Sequence, residues 1–93
     1  MTNLERVVQL YEFILTLVLT HKKVVVKVDF NHSAVTFEFK NGKYYAYTEK
    51  AVVESEYFSR VFDLVKHEIA ENSFAEDIKI IICDKTFAII KRI

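Results

Sequence analysis

Asn41-Gly42 holds the only glycine in a chain of 93 residues that has no proline. Alternating runs flank the pair. Val35, Phe37 and Phe39 interleave with Thr36, Glu38 and Lys40 before it, and Tyr44 and Ala46 interleave with Lys43, Tyr45 and Tyr47 after it. An Asn-Gly step between such runs predicts a two-residue type I′ hairpin, because both central residues must take positive φ. That turn sets a register: Lys40 faces Lys43, Phe39 faces Tyr44, Glu38 faces Tyr45, Phe37 faces Ala46 and Thr36 faces Tyr47. Phe37, Phe39, Tyr44 and Ala46 then share one face, which the alternation marks independently as the core side.

With so little Gly and Pro there is little material for long loops, so most of the chain is expected in helices, strands and tight turns. Residues 3–20 predict a helix, with Thr2 or Asn3 as cap and Glu5 in the first turn, where the helix dipole favours a carboxylate. Glu5, Gln9, Glu12, Thr16 and Thr20 fall on one polar stripe. The apolar remainder covers roughly 240°, against about 100° for an ordinary surface helix, which predicts cover on more than one side.

Residues 23–30 read as a strand with Val24, Val26, Val28 and Phe30 on one face, turning at Asn31-His32. A second helix is expected over about residues 50–71, with Phe58, Val61, Phe62, Val65 and Ile69 as its inward stripe. Its start stays open, since Val52-Val53 can prolong a strand and Ser55 can cap. Residues 72–77 form a linker. Residues 78–83 and 86–92 predict a hairpin about Asp84-Lys85. One of its faces carries Ile78, Ile80, Ile82, Phe87 and Ile89, and the other Ile81, Cys83, Ala88 and Ile90. The whole predicts a single two-layer α+β domain over 1–93: a helix, a three-stranded antiparallel meander, a helix and a β-hairpin (αβββαββ), with both helices on one face of the sheet.

Thirteen Lys and Arg balance thirteen Asp and Glu, without a long like-charge block. The broad basic footprint of a nucleic-acid or anionic-membrane binder is therefore missing. A lone Cys83 leaves no intramolecular disulfide and suits a reducing compartment. The apolar run 7–19 contains Gln9 and Glu12 and falls short of the roughly 20 residues that span a bilayer. A cytoplasmic protein is expected.

Asp29 with Glu38-Phe39-Lys40 resembles the D…ExK form of the PD-(D/E)xK nucleases, and the helix–strands–helix–strand order is also similar. The resemblance implies Mg²⁺ on the two carboxylates and charge stabilisation by the Lys. Here, however, the ExK falls on the second strand and not the third, and Asp29 has no preceding Pro. With Asp29 opposite Ala34, it lies about 13 Å along the strand from Glu38, too far to share a metal. The αβββα order also resembles the double-stranded-RNA-binding domain, but residues 50–56 lack that family's basic helix start. The full order is similar to that of dimeric secretion chaperones, with no motif residues behind the likeness.

His21, His32 and His67 are scattered. His67 between Asp63 and Glu71 reads as a solvated helix face, and Cys83 as a packing residue. Tyr45 and Tyr47, with Val25, Lys27, Thr36 and Glu38, fall on the sheet face away from the helices. Val25, Tyr45, Tyr47, Ile81, Ala88 and Ile90 make the expected binding surface there, too apolar for scattered surface hydrophobes. The expectation is a non-enzymatic protein-interaction module, homodimeric, binding another protein through that face and needing no metal or cofactor. The alternative is nucleic-acid handling, by single-strand binding on the tyrosines or by a degenerate nuclease of the PD-(D/E)xK kind.

Overall fold

The computed structural model describes residues 3–28, 33–70 and 77–91. In chain order the elements are α1 (Asn3–His21), β1 (Lys23–Val28), β2 (Ser33–Lys40), β3 (Lys43–Tyr47), β4 (Val52–Ser55), α2 (Phe58–Ala70), β5 (Ile78–Ile82) and β6 (Lys85–Ile90). The strands form one antiparallel sheet in the order β4-β3-β2-β1-β5-β6, with both helices packed on the same face. The α+β class and the one-sided helix layer are as the sequence predicts.

The β2–β3 hairpin has the predicted register from Lys40 opposite Lys43 to Thr36 opposite Tyr47. Asn41 (φ 53°) and Gly42 (φ 77°) both lie in the left-handed region, as a type I′ turn requires. At the other end of β1, Val28 and not Phe30 pairs with Ser33, and the expected turn at Asn31-His32 lies outside the described residues. Ala34 therefore faces Lys27 and not Asp29, which lies outside the described residues, as do Phe30 and His32. The shift is by two, which returns each side chain to the same face, so the hydrophobic pattern is blind to it.

Helix α2 begins at Phe58, and Val52–Ser55 is a fourth meander strand at the sheet edge, paired with β3 from Tyr47–Val52 to Tyr44–Ser55. Thr48 closes the intervening turn. Its Oγ1 accepts the N–H groups of Lys50 (3.2 Å) and Ala51 (3.1 Å), while its N–H donates to the Ala51 carbonyl (2.9 Å). Val52 and Val53 are β-branched and poor helix formers, and pairing them satisfies the outer backbone groups of β3. Ser55 Oγ accepts the N–H of Tyr57 (3.1 Å), and α2 starts just after it.

The last hairpin turns at Cys83-Asp84 (φ 54° and 63°), not at Asp84-Lys85. Between Ile81 opposite Thr86 and Ile80 opposite Ala88 the ladder slips by one residue, leaving Phe87 as the extra residue of a β-bulge. An odd slip reverses faces. Ala88 and Ile90, expected on the helix-free face, pack against the core opposite Ile80 and Ile78, and Ile89 turns to the helix-free side opposite Lys79. Phe87 reaches α1, its ring 6.3 Å from Phe13 and 6.0 Å from His21.

The core lies between the layers. Leu10, Ile14, Leu17 and Val18 of α1 meet Val24, Val26, Val35, Phe37 and the three isoleucines at 78, 80 and 82, and Phe58, Val61 and Phe62 of α2 complete it. Tyr11 touches the rings of Phe58 and Phe62, both at 5.3 Å, and so joins the helices. The wide apolar arc of α1 is thus covered by the sheet and by α2, but not throughout, since Val8 and Leu19 remain about half exposed. Lys22 ends the helix in the left-handed conformation (φ 70°), its N–H bonded to the Val18 carbonyl at 2.9 Å. Among the described residues no helix is long and apolar enough to cross a membrane.

Candidate functional site

With both helices on one side, no helix among the described residues packs on the other face of the sheet. Direct cross-strand partners share a face, so the pairings map it. One row crosses all six strands: Val52 faces Tyr47, Tyr47 faces Thr36, Thr36 faces Val25, Val25 faces Ile81, and Ile81 faces Thr86. Five inter-strand gaps make the row about 24 Å long. Toward the Asn41-Gly42 turn lies a second row of Glu54, Tyr45, Glu38 and Lys23, with Lys40 and Lys43 beyond it. On the opposite side lies a row of Ala34, Lys27, Lys79 and Ile89.

Four of the six expected surface residues, Val25, Tyr45, Tyr47 and Ile81, therefore share this face, all half-buried. Ala88 and Ile90 do not. Val52 and Ile89, 61% and 46% exposed, stand in their place. Val52 was legible once residues 52–55 were read as strand; Ile89 required the bulge.

Four side chains at the β2–β3 end form a bonded group. Glu38 Oε1 accepts the Tyr47 hydroxyl at 3.1 Å and pairs with the Lys40 ammonium at 3.2 Å. Lys40 lies 5.1 Å from the centre of the Tyr45 ring, a cation–π contact, and the Tyr45 and Tyr47 rings are near parallel with centroids 6.1 Å apart. Burial pushes the Glu38 carboxyl up, but the bonds from Lys40 and Tyr47 and the charges of Lys40 and Lys23 outweigh it and hold it below its ordinary 4.5. Lys40 is held above 10.5, first by its bond to Glu38.

A carboxyl with a depressed folded pKa adds stability that is present above its unfolded value and lost as pH falls through the folded one. Acidification from 4.5 downward should therefore lower the melting temperature of the wild type more than that of Glu38→Gln. Melting curves recorded across that range check this, and parallel pH profiles would show that the cluster contributes nothing.

Of the residues behind the nuclease resemblance, Glu38 and Lys40 are close, yet they are bonded to each other. Asp29 lies outside the described residues. Among the described residues no three His, Cys, Asp or Glu side chains gather where they could hold a metal ion. His21 stands beside Phe87, and Cys83 is exposed in its turn. The side chain of His67 and all of His32 lie outside what is described. A depression of about 200 Å³ opens where the central row meets the last turn, lined by His21, Lys23, Val25, Ile81, Cys83 and Asp84. It is smaller than the roughly 300–1,000 Å³ of a cleft that encloses a drug-sized ligand, and its size suits a single side chain.

Comparison with protein-family models, with curated proteins and with solved structures finds no match for this chain.

Proposed function

We propose that the chain is a small non-enzymatic protein-interaction module that acts as a homodimer and takes another protein on the helix-free face of its sheet. The observation behind this reading is the central row. Val52, Tyr47, Val25 and Ile81 form an apolar band across the sheet that no helix among the described residues covers. Contiguous apolar surface of this kind marks interaction sites on soluble domains. The helix layer supports the dimer, because Val8, Leu19 and Leu64 are also exposed there. A second copy on that side leaves the sheet face open for a partner.

Light scattering at micromolar concentration should give twice the chain mass, and a strictly monomeric species removes the homodimer. Tyr47→Asp and Ile81→Asp should keep the wild-type circular dichroism and lose the partner that the wild type retains. If both variants bind as the wild type does, the sheet face is not the functional surface.

The parallel rings of Tyr45 and Tyr47 beside Lys40 favour single-strand nucleic-acid binding as a second reading. Retention on heparin at low salt, or Mg²⁺-dependent cleavage lost in Glu38→Ala, would put nucleic-acid handling in place of protein binding.

A further inference from the structure

Among the described residues the sheet ends at β4 on one side and at β6 on the other, and the two edges are built differently. β6 opens on Lys85 and carries the bulge at Phe87, two devices that keep a strand edge from pairing further. β4 reads Val52-Val53-Glu54-Ser55, with no lysine, no proline and no bulge. Val52 on this strand, Tyr57 just after it and Leu64 on α2 are each 61% exposed, more than any other large hydrophobic residue described.

All three border the β4 edge. Helix α1 packs on β1 and β2, and α2 on β3 and β4. Tyr11 of α1 reaches α2 at Phe58 and Phe62. At about 100° per residue, Leu64 points roughly 160° away from Phe62, and Tyr57, seven residues earlier at the helix start, falls in line with Leu64. Both therefore stand on the flank of α2 that faces away from α1, beyond β4.

The backbone fixes how another strand can add to this edge. Thr48 N–H donates to the Ala51 carbonyl at 2.9 Å, which makes that pair a bonded one of the β3–β4 ladder. Bonded and non-bonded pairs alternate in an antiparallel ladder. Tyr47–Val52 is then non-bonded, Ala46–Val53 bonded and Tyr45–Glu54 non-bonded. Val52 and Glu54 thus turn their N–H and C=O groups outward, past the last described strand.

We infer that a second copy of this chain pairs here, β4 against β4, antiparallel about a two-fold axis through Val53. In that register Val52 faces the partner's Glu54, and Glu54 faces the partner's Val52. These are the outward-turned residues, so each such pair exchanges two N–H···O bonds. Val53 meets its own copy on the axis, on the side of the sheet where α2 packs, with the Tyr57 and Leu64 flanks of the two α2 helices on either side. Just beyond the strand ends, exposed Lys50 comes beside the partner's Glu56, a charge match that the two-fold axis supplies twice. A strand of other sequence takes the same backbone bonds without that match. The inference rests on the homodimer proposed above and names its interface. An axis normal to the sheet keeps both helix layers on one side, so the helix-free faces stay open.

Light scattering together with oxidative cross-linking tests this. Glu54→Pro removes an outward N–H and no bond of the β3–β4 ladder, so it should keep the wild-type circular dichroism and scatter as a single chain. Leu64→Lys, at an exposed position, should do the same. Lys50→Glu should raise the dimer dissociation constant on the order of tenfold, because the lost pair and the new repulsion occur twice, and Lys50→Glu/Glu56→Lys should recover it. Val53→Cys in a Cys83→Ser background should oxidise to a cross-linked dimer, since facing residues of a non-bonded pair have Cα atoms about 4.5 Å apart, within disulfide reach. If Glu54→Pro loses its fold, the cross-link and the charge reversal decide. Dimerisation as in the wild type in Glu54→Pro and Leu64→Lys, with no cross-link in the cysteine variant, would keep the homodimer and overturn the β4 interface. A strictly monomeric wild type would overturn both.

Discussion

Phe37→Ala is expected to cost about 3–5 kcal/mol, enough to remove most of the stability of a domain this small. Phe37 has no exposed surface and stands at the meeting point of three elements. Val24 and Ala46 flank it on the neighbouring strands, and the rings of Phe58 and Phe62 lie 5.5 Å and 6.1 Å above it from α2. The small Ala46 leaves the space that the ring fills, and truncation opens a cavity that rigid sheet neighbours cannot close. At about 4–8 °C per kcal/mol for a domain of this length, the melting temperature should fall by more than about 10 °C, or the variant should fail to fold. Urea unfolding measures the loss directly. Phe39→Ala, at a half-buried position on the same strand, provides the comparison and should cost less. An unfolding midpoint near that of the wild type in Phe37→Ala would mean that α2 does not pack on the centre of the sheet.

Gly42→Val should destabilise by about 1–2 kcal/mol for a different reason. A Cβ built on Gly42 meets nothing within 4 Å, so no clash with the rest of the fold is involved. The cost is the backbone alone: φ is +77°, and a β-branched residue resists the left-handed region most. Gly42→Asn should lose less, because Asn visits that region with local hydrogen bonding. Chemical denaturation of the three proteins should rank them wild type, Asn, Val. A Val variant as stable as the wild type would show that the turn is not type I′ and that the hairpin register is different.

The two predictions separate what local sequence decides from what packing decides. Type I′ geometry depends on two adjacent residues, and the alternation of Phe37 and Phe39 with Glu38 and Lys40 depends on period alone. Both are properties of neighbours in the chain, so the β2–β3 register could be read residue by residue. The same holds for Phe58, Val61 and Phe62 on the inward stripe of α2, whose Val65 and Ile69 side chains lie outside what is described, and for Val25, Tyr45, Tyr47 and Ile81 on the helix-free face.

Other features turned on partners far away in sequence. Val52-Val53 is compatible with a strand end or a helix start, and the open edge of β3 chose the strand. Phe87 is one more apolar residue in an apolar run, yet its seat against Phe13 and His21 accompanies the bulge that sends Ala88 and Ile90 inward and Ile89 outward. The pairing of Lys27 with Lys79 exists because β5 lies beside β1 after some fifty intervening residues. A strand's period states which residues belong together on a face. It does not state which face is the inner one after an odd slip, because reversing every side chain leaves the pattern intact. Only the helices, by packing on one side of the sheet, broke that symmetry and fixed which side is the core.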